Sequence, residues 1–130
     1  MTVAYVDTNV IVRHLVGDAP DQARAATELL MQPRRLVLTP FIFIEIAHVL
    51  RSYYGLSRDA ITDRLDAVIR LPAIAGDLDL LSAALDIHAC RGVSMPDALL
   101  AAEAKQSGIT EIVSFDRGFD RIAGVTRITP

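Results

Sequence analysis

At 130 residues the chain is long enough to bury a real core and too short for two ordinary domains, so one domain over residues 1–130 is expected. A net charge of −3 and a pI near 5.5 exclude a module that grips nucleic acid by bulk positive charge, though not an enzyme that acts on it. The hydrophobic fraction of 52% includes no run long enough to span a membrane, and the single cysteine, Cys90, excludes an internal disulfide or a cysteine-based metal site; a soluble, cytoplasmic protein is expected.

The chain opens on Val3-Ala4-Tyr5-Val6, a β-favouring run without alternation, which predicts a central parallel strand covered on both faces. It delivers Asp7, and a helix follows from Asn9 to about Val16, closed by Gly17. Asp18-Ala19-Pro20-Asp21 starts a second helix that Pro33 stops. Leu36-Val37-Leu38 reads as a second strand, and Thr39-Pro40 as cap and first residue of a third helix ending near Tyr54. That helix is apolar almost all round, so it is expected to be buried, with Glu45 set among apolar residues. Ser57 caps a fourth helix; Leu71 to Ile74 suits an edge strand because Pro72 is tolerated there. A fifth helix covers Asp77 to about Arg91, and Ser94-Met95-Pro96-Asp97 opens a sixth that closes at Gly108. Ile112 to Phe115 is a strand stopping at Asp116; a turn through Gly118 leads to a last strand, Val125 to Ile128. This alternation predicts an α/β fold: a four- to five-stranded, mostly parallel sheet with helices on both faces.

Chain direction then places the acids. Asp7 and Asp116 end strands, Glu45 lies early in the helix leaving the second strand, and Asp97 begins the helix running back toward the strand that ends at Asp116. All four are expected at the carboxyl edge of the sheet, where open α/β sheets bind ligands. Gathered carboxylates repel unless a cation compensates them. Hard oxygen donors without cysteine suit Mg²⁺ or Mn²⁺, and such an ion suits phosphodiester hydrolysis. Each acid also has an ordinary reading. Asp7 could cap the first helix, Glu45 could be satisfied by His48, Asp97 could partner Ser94 in a capping box, and Asp116 could be a turn residue.

With these residues in view the sequence resembles the PIN-domain ribonucleases, most closely toxins of the VapC type from bacterial toxin–antitoxin pairs. The resemblance spans essentially the whole chain. It is carried by Val6-Asp7-Thr8-Asn9, by Glu45 in the third helix, by Ser94-Met95-Pro96-Asp97-Ala98 and by Ser114-Phe115-Asp116-Arg117. It implies a PIN-like three-layer sandwich and a metal-dependent endoribonuclease cutting structured RNA such as transfer RNA. Asp7, Glu45, Asp97 and Asp116 would be the catalytic, metal-binding acids, with Asn9 and Ser114 in support. It further implies a homodimer and a cognate VapB-type antitoxin. Relatives often carry another acid two residues after the late one; here that position is Gly118, and Asp120 is a partial substitute.

Arg13, Arg117 and Arg121 follow the strand ends and are candidate RNA phosphate contacts. Arg34-Arg35 falls at the opposite edge by the same topology. Tyr53 and Tyr54 suit helix-end packing, with base stacking or a partner interface as the functional alternative. His48 is expected in or beside the core; His14 and His88 have no spaced ligand partners. Two other functions stand beside the nuclease. One is a haloacid-dehalogenase-like phosphohydrolase with Asp7 as nucleophile, although Asn9 replaces the second aspartate of that mechanism. The other is a non-catalytic binding domain on the same fold.

Overall fold

Strand and helix alternate much as the sequence predicts in a computed structural model of the chain, which describes residues 2–130. In chain order these residues form β1 (Val3–Tyr5), α1 (Thr8–Val16), α2 (Pro20–Leu30), β2 (Arg35–Val37), α3 (Pro40–Ser52), α4 (Arg58–Ile69), β3 (Ile74–Ala75), α5 (Leu78–Arg91), α6 (Met95–Ser107), β4 (Glu111–Val113), a 3₁₀ turn (Arg117–Arg121) and β5 (Thr126–Ile128). The chain divides into two compact units, the first running to Leu78 and the second from Asp79 to Pro130.

In the first unit β1, β2 and β3 form a parallel sheet in that order, with Ala4 opposite Leu36 and Leu36 opposite Ile74. Local chemistry starts and stops the helices around it. The hydroxyls of Thr39 and Ser57 accept hydrogen bonds from the N–H groups of Ile42 and Ala60, capping α3 and α4. Gly17 ends α1 with φ +73°, its N–H donating to the Arg13 carbonyl, a conformation that costs glycine nothing. Gly76 allows a close approach: a Cβ there would stand 2.7 Å from the Leu38 carbonyl oxygen. Phe43, Ile46 and Leu50 of α3 are fully buried, as are Leu65 and Val68 of α4 and Leu38 after β2. Each such side chain contributes about 1.5–3 kcal/mol by leaving water.

In the second unit β4 and β5 pair in parallel, Ile112 opposite Arg127. Small residues on α6, Ala98, Ala101 and Ala102, are buried along with Leu81, Ala84 and Leu85 of α5. The Ser94 hydroxyl accepts from the Asp97 N–H and caps α6. His88 is buried, its Nδ1–H donating to the Val93 carbonyl at 2.7 Å.

The α/β expectation holds, with every strand pairing parallel, but the five strands fall into sets of three and two. Several local expectations are corrected. β1 pairs only with β2, and Val3 and Tyr5 are 61% and 79% exposed; only Val6 at its end is buried, so an unbroken apolar run did not mean two covered faces. Pro72 precedes β3 instead of lying in it. β4 ends at Val113, leaving Ser114 and Phe115 outside the strand, and Asp116 caps a 3₁₀ turn. The third helix is not buried all round, since Phe41 is 66% exposed. His48 is exposed and bonds Ser52 on its own helix at 3.4 Å.

Candidate functional site

Each unit holds one pair of the four acids. In the first, Asp7 leaves β1 in an extended conformation and becomes the N-cap of α1, its Oδ1 accepting from the Thr8 N–H at 2.8 Å. The capping role is therefore real, and it uses one carboxylate oxygen. Asp7 is exposed and shares with Glu45 the wall of an open cleft of ≈ 350 Å³, lined also by Thr8, Asn9, Arg13, Tyr53 and Tyr54. Glu45 is half-buried and has no hydrogen bond or ion pair among the described residues. The partner considered for it, His48, is bonded to Ser52 instead. Asn9 is exposed at the cleft.

A second group in the same unit is internally satisfied. The Arg13 guanidinium donates to Gln22 Oε1 at 2.8 Å, to Asp18 Oδ1 at 3.0 Å and to the Tyr54 hydroxyl at 3.2 Å. Tyr54 donates in turn to Asp18 Oδ2 at 2.7 Å. The Tyr54 hydroxyl and then the Arg13 charge hold the Asp18 carboxyl below the usual carboxylate range. Arg13 thus lines the cleft with Nε and Nη1 already committed to the scaffold.

In the second unit Asp97 stands in the first turn of α6, and Asp116 follows β4. Asp116 is doubly fixed: its N–H donates to Ser114 Oγ at 2.9 Å and its Oδ1 accepts from the Gly118 N–H at 2.8 Å. The turn reading is therefore also real, and Ser114 supports the acid by setting its backbone. Burial, and then the hydrogen bond Asp97 shares with Asp116, push the Asp97 carboxyl above its ordinary range, while the Ser94 hydroxyl opposes the shift. Two carboxyls in contact need a proton or a cation to coexist.

Sequence reasoning missed Arg127. Its guanidinium forks onto both Asp120 oxygens, at 3.0 and 3.2 Å, and donates to the Ser114 carbonyl at 3.2 Å. That fork, with Arg117 adding its charge, holds Asp120 below the usual carboxylate range. Asp120 is thereby neutralised on the spot, so it is a poor replacement for the acid absent at Gly118. The signal was weak in sequence: an arginine on an edge strand, seven residues from its partner. Arg117 and Arg121 lie exposed on the 3₁₀ turn. Thr8 was missed as well; its Oγ1 is buried beside Asp7 with no hydrogen-bond partner among the described residues.

Among the described residues no three His, Cys, Asp or Glu side chains gather into a group that could hold a metal ion. Pairs are nevertheless the donor set Mg²⁺ accepts, since it keeps several waters and is commonly held by one or two carboxylates together with substrate phosphate. The residues fit such an ion: oxygen donors, no thiol, an orphaned hydroxyl beside Asp7 and, among the described residues, no ion pair to any of the four acids.

Comparison with known proteins agrees with this chemistry. The family model described as PIN domain matches residues 4–125. The chain belongs to the PIN domain family. PIN domains are in general metal-dependent nucleases acting on nucleic acid, and the match runs through both units and includes all four acids. No curated protein matches the chain. Among the described residues no helix is long and apolar enough to cross a membrane.

Proposed function

We propose that the chain is a Mg²⁺- or Mn²⁺-dependent endoribonuclease acting as one PIN-like domain over residues 1–130, with Asp7, Glu45, Asp97 and Asp116 as its metal-binding and catalytic acids. One observation carries the reading. Asp97 and Asp116, which come from different elements, share a hydrogen bond, and among the described residues none of Asp7, Glu45, Asp97 and Asp116 forms an ion pair. A PIN domain that brings two carboxyls into contact with no ion pair to either is arranged for a cation from solution.

The chain's own contributions follow from chemistry. Bound metal would supply an acidified water and offset charge on the phosphate. Asp7 and Asp116 each spend one oxygen on a backbone N–H, which fixes the carboxylate before any ligand arrives. Glu45 carries no such restraint and is suited to accept a proton from the attacking water. Asn9 and Ser114 steady the acids beside them, and Arg117 and Arg121, exposed on the 3₁₀ turn, meet RNA phosphates. Arg13 is assigned to the cleft wall first and to phosphate second, because its bonds to Asp18, Tyr54 and Gln22 already orient it.

The substrate class is structured RNA, and the biological setting is that of a VapC-type toxin, a cytoplasmic homodimer restrained by a VapB-type antitoxin. The test is cleavage of total cellular RNA by antitoxin-free protein, with Mg²⁺ or Mn²⁺ and with EDTA, beside Asp97→Asn. Discrete fragments that require metal and disappear in the folded variant are expected. Folded, metal-bound protein that leaves transfer and ribosomal RNA intact overturns the proposal.

A further inference from the structure

Residues four apart on a helix form a row, and on α3 the row Phe41, Glu45, Val49, Tyr53 is the one associated with the cleft. Glu45, Val49 and Tyr53 line it, while Phe41 sits one turn before Glu45. The two ends of this row are large aromatic rings left in water, Phe41 at 66% and Tyr53 at 79% exposure. On the other side of the same helix Phe43, Ile46 and Leu50 are wholly buried, so the row is not an accident of a loosely packed helix. A rise of about 1.5 Å per residue puts Phe41 about 6 Å before Glu45 and Tyr53 about 12 Å beyond it.

Tyr53 is also braced. Its ring centroid lies 4.9 Å from that of Tyr54 with planes at 73°, an edge-to-face contact. Tyr54 is itself anchored through its hydroxyl to Asp18 at 2.7 Å. Tyr54 therefore packs the helix end, and Tyr53 leans on it with most of its own ring in water.

Exposed aromatics of this kind serve either protein partners or nucleobases. The nuclease reading decides between them: Glu45, one of the acids proposed for it, stands half-buried between the two rings, so the chain that passes the row is the nucleic acid on which a PIN domain acts. Single-stranded RNA offers what the row lacks: a π-face for each ring, and phosphate with its accompanying cation for the carboxylate. We infer that Phe41 and Tyr53 are base-stacking platforms flanking Glu45, so that α3 tracks a short unpaired stretch of RNA through the cleft. The inference rests on the nuclease reading for its ligand, but its test does not depend on turnover.

The probe is a short fluorescein-labelled single-stranded RNA, its binding followed by anisotropy in Ca²⁺. Tyr53→Ala and Phe41→Ala should each weaken binding about tenfold or more, and Tyr53→Phe should not. The slope of log affinity against log salt should stay at the wild-type value, since stacking releases no counterions. One abasic position in the RNA should reproduce the Tyr53→Ala loss and add nothing to it. Wild-type affinity in both alanine variants overturns the inference, as does wild-type protein that binds no such RNA. A shift of oligomeric state in the alanine variants with RNA affinity unchanged overturns it in favour of a protein interface. Stacking without metal-dependent cleavage sinks the hydrolase reading alone, and cleavage indifferent to both rings sinks this inference alone.

Discussion

Asp116 and Asp120 lie four residues apart on one short segment and are held in opposite ways. Asp120 receives both arms of the Arg127 guanidinium. Asp116 accepts from a backbone N–H, stands beside another acid, Asp97, and feels the Arg127 charge without an ion pair to it. The first unit repeats the contrast: Asp18 is matched by Arg13 and Tyr54, while Glu45, beside the same cleft, is matched by nothing among the described residues. In each region the arginine fork or ion pair goes to one acid of the two, Asp120 from Arg127 and Asp18 from Arg13. In these two pairs the compensated carboxylate braces a loop and the uncompensated one is open to a ligand. Within each pair that difference separates the candidate site acid from the scaffold acid.

The widest separation should come from Glu45→Gln against Asp18→Asn. Glu45→Gln is expected to lower metal-dependent RNA cleavage by roughly 10²- to 10⁴-fold with the melting temperature unchanged. Asp18→Asn is expected to do the reverse, loosening the contact of α1 with Tyr54 and lowering the melting temperature while most cleavage remains. Equal losses of activity in both would erase the distinction. A comparably large effect, on stability alone, is expected within α3: Phe43→Ala empties a fully buried site and should cost about 3–5 kcal/mol in denaturant unfolding.

The smallest effects lie in the acid limb of stability. Asp120 has a depressed folded-state pKa, so its contribution is complete above the unfolded carboxylate value and is lost as pH falls through the folded one. Asp97 has a raised value, so in EDTA its charged form is a penalty above that pKa, relieved as pH falls through it. Melting curves against pH should therefore show Asp120→Asn less stable than wild type near neutrality and converging with it in acid. Asp97→Asn in EDTA should be slightly more stable near neutrality, its advantage shrinking toward acid and reversing when Mg²⁺ is added, because metal stabilises only the intact site. A neutral effect of both substitutions at every pH would show that the two acids are treated alike.

Much of the architecture was legible because it is written locally. Caps at Thr39, Ser57 and Ser94, proline at helix starts and Gly17 and Gly108 at helix ends each act over a few residues, and α3, α4 and α6 begin directly after the caps expected for them. The four acids were legible as a pattern along the chain, and all four lie within residues 4–125, which the family model matches. Their ordinary roles were legible too: Asp7 caps α1 and Asp116 caps the 3₁₀ turn. What could not be read was anything set by distant partners. The exposure of Val3 and Tyr5 depends on which strand edges pair, and the division of the strands into two sheets follows from the same pairing. Arg127 looks like any edge-strand arginine until β5 lies beside the residues after β4. Arg13 seemed free for phosphate because Tyr54, its partner, is 41 residues away.

The hydrogen bond from Tyr54 to Asp18 has an optical consequence. A phenol donating to a carboxylate resists ionisation, and the Tyr54 pKa is raised above the ordinary tyrosine value chiefly by that bond. The chain has no tryptophan and three tyrosines, so phenolate absorbance in alkali is read without an indole background. The protein thus carries a spectral label at the junction of α1 and α3, which reports whether Asp18 still holds the cleft wall without any dye, tag or substitution.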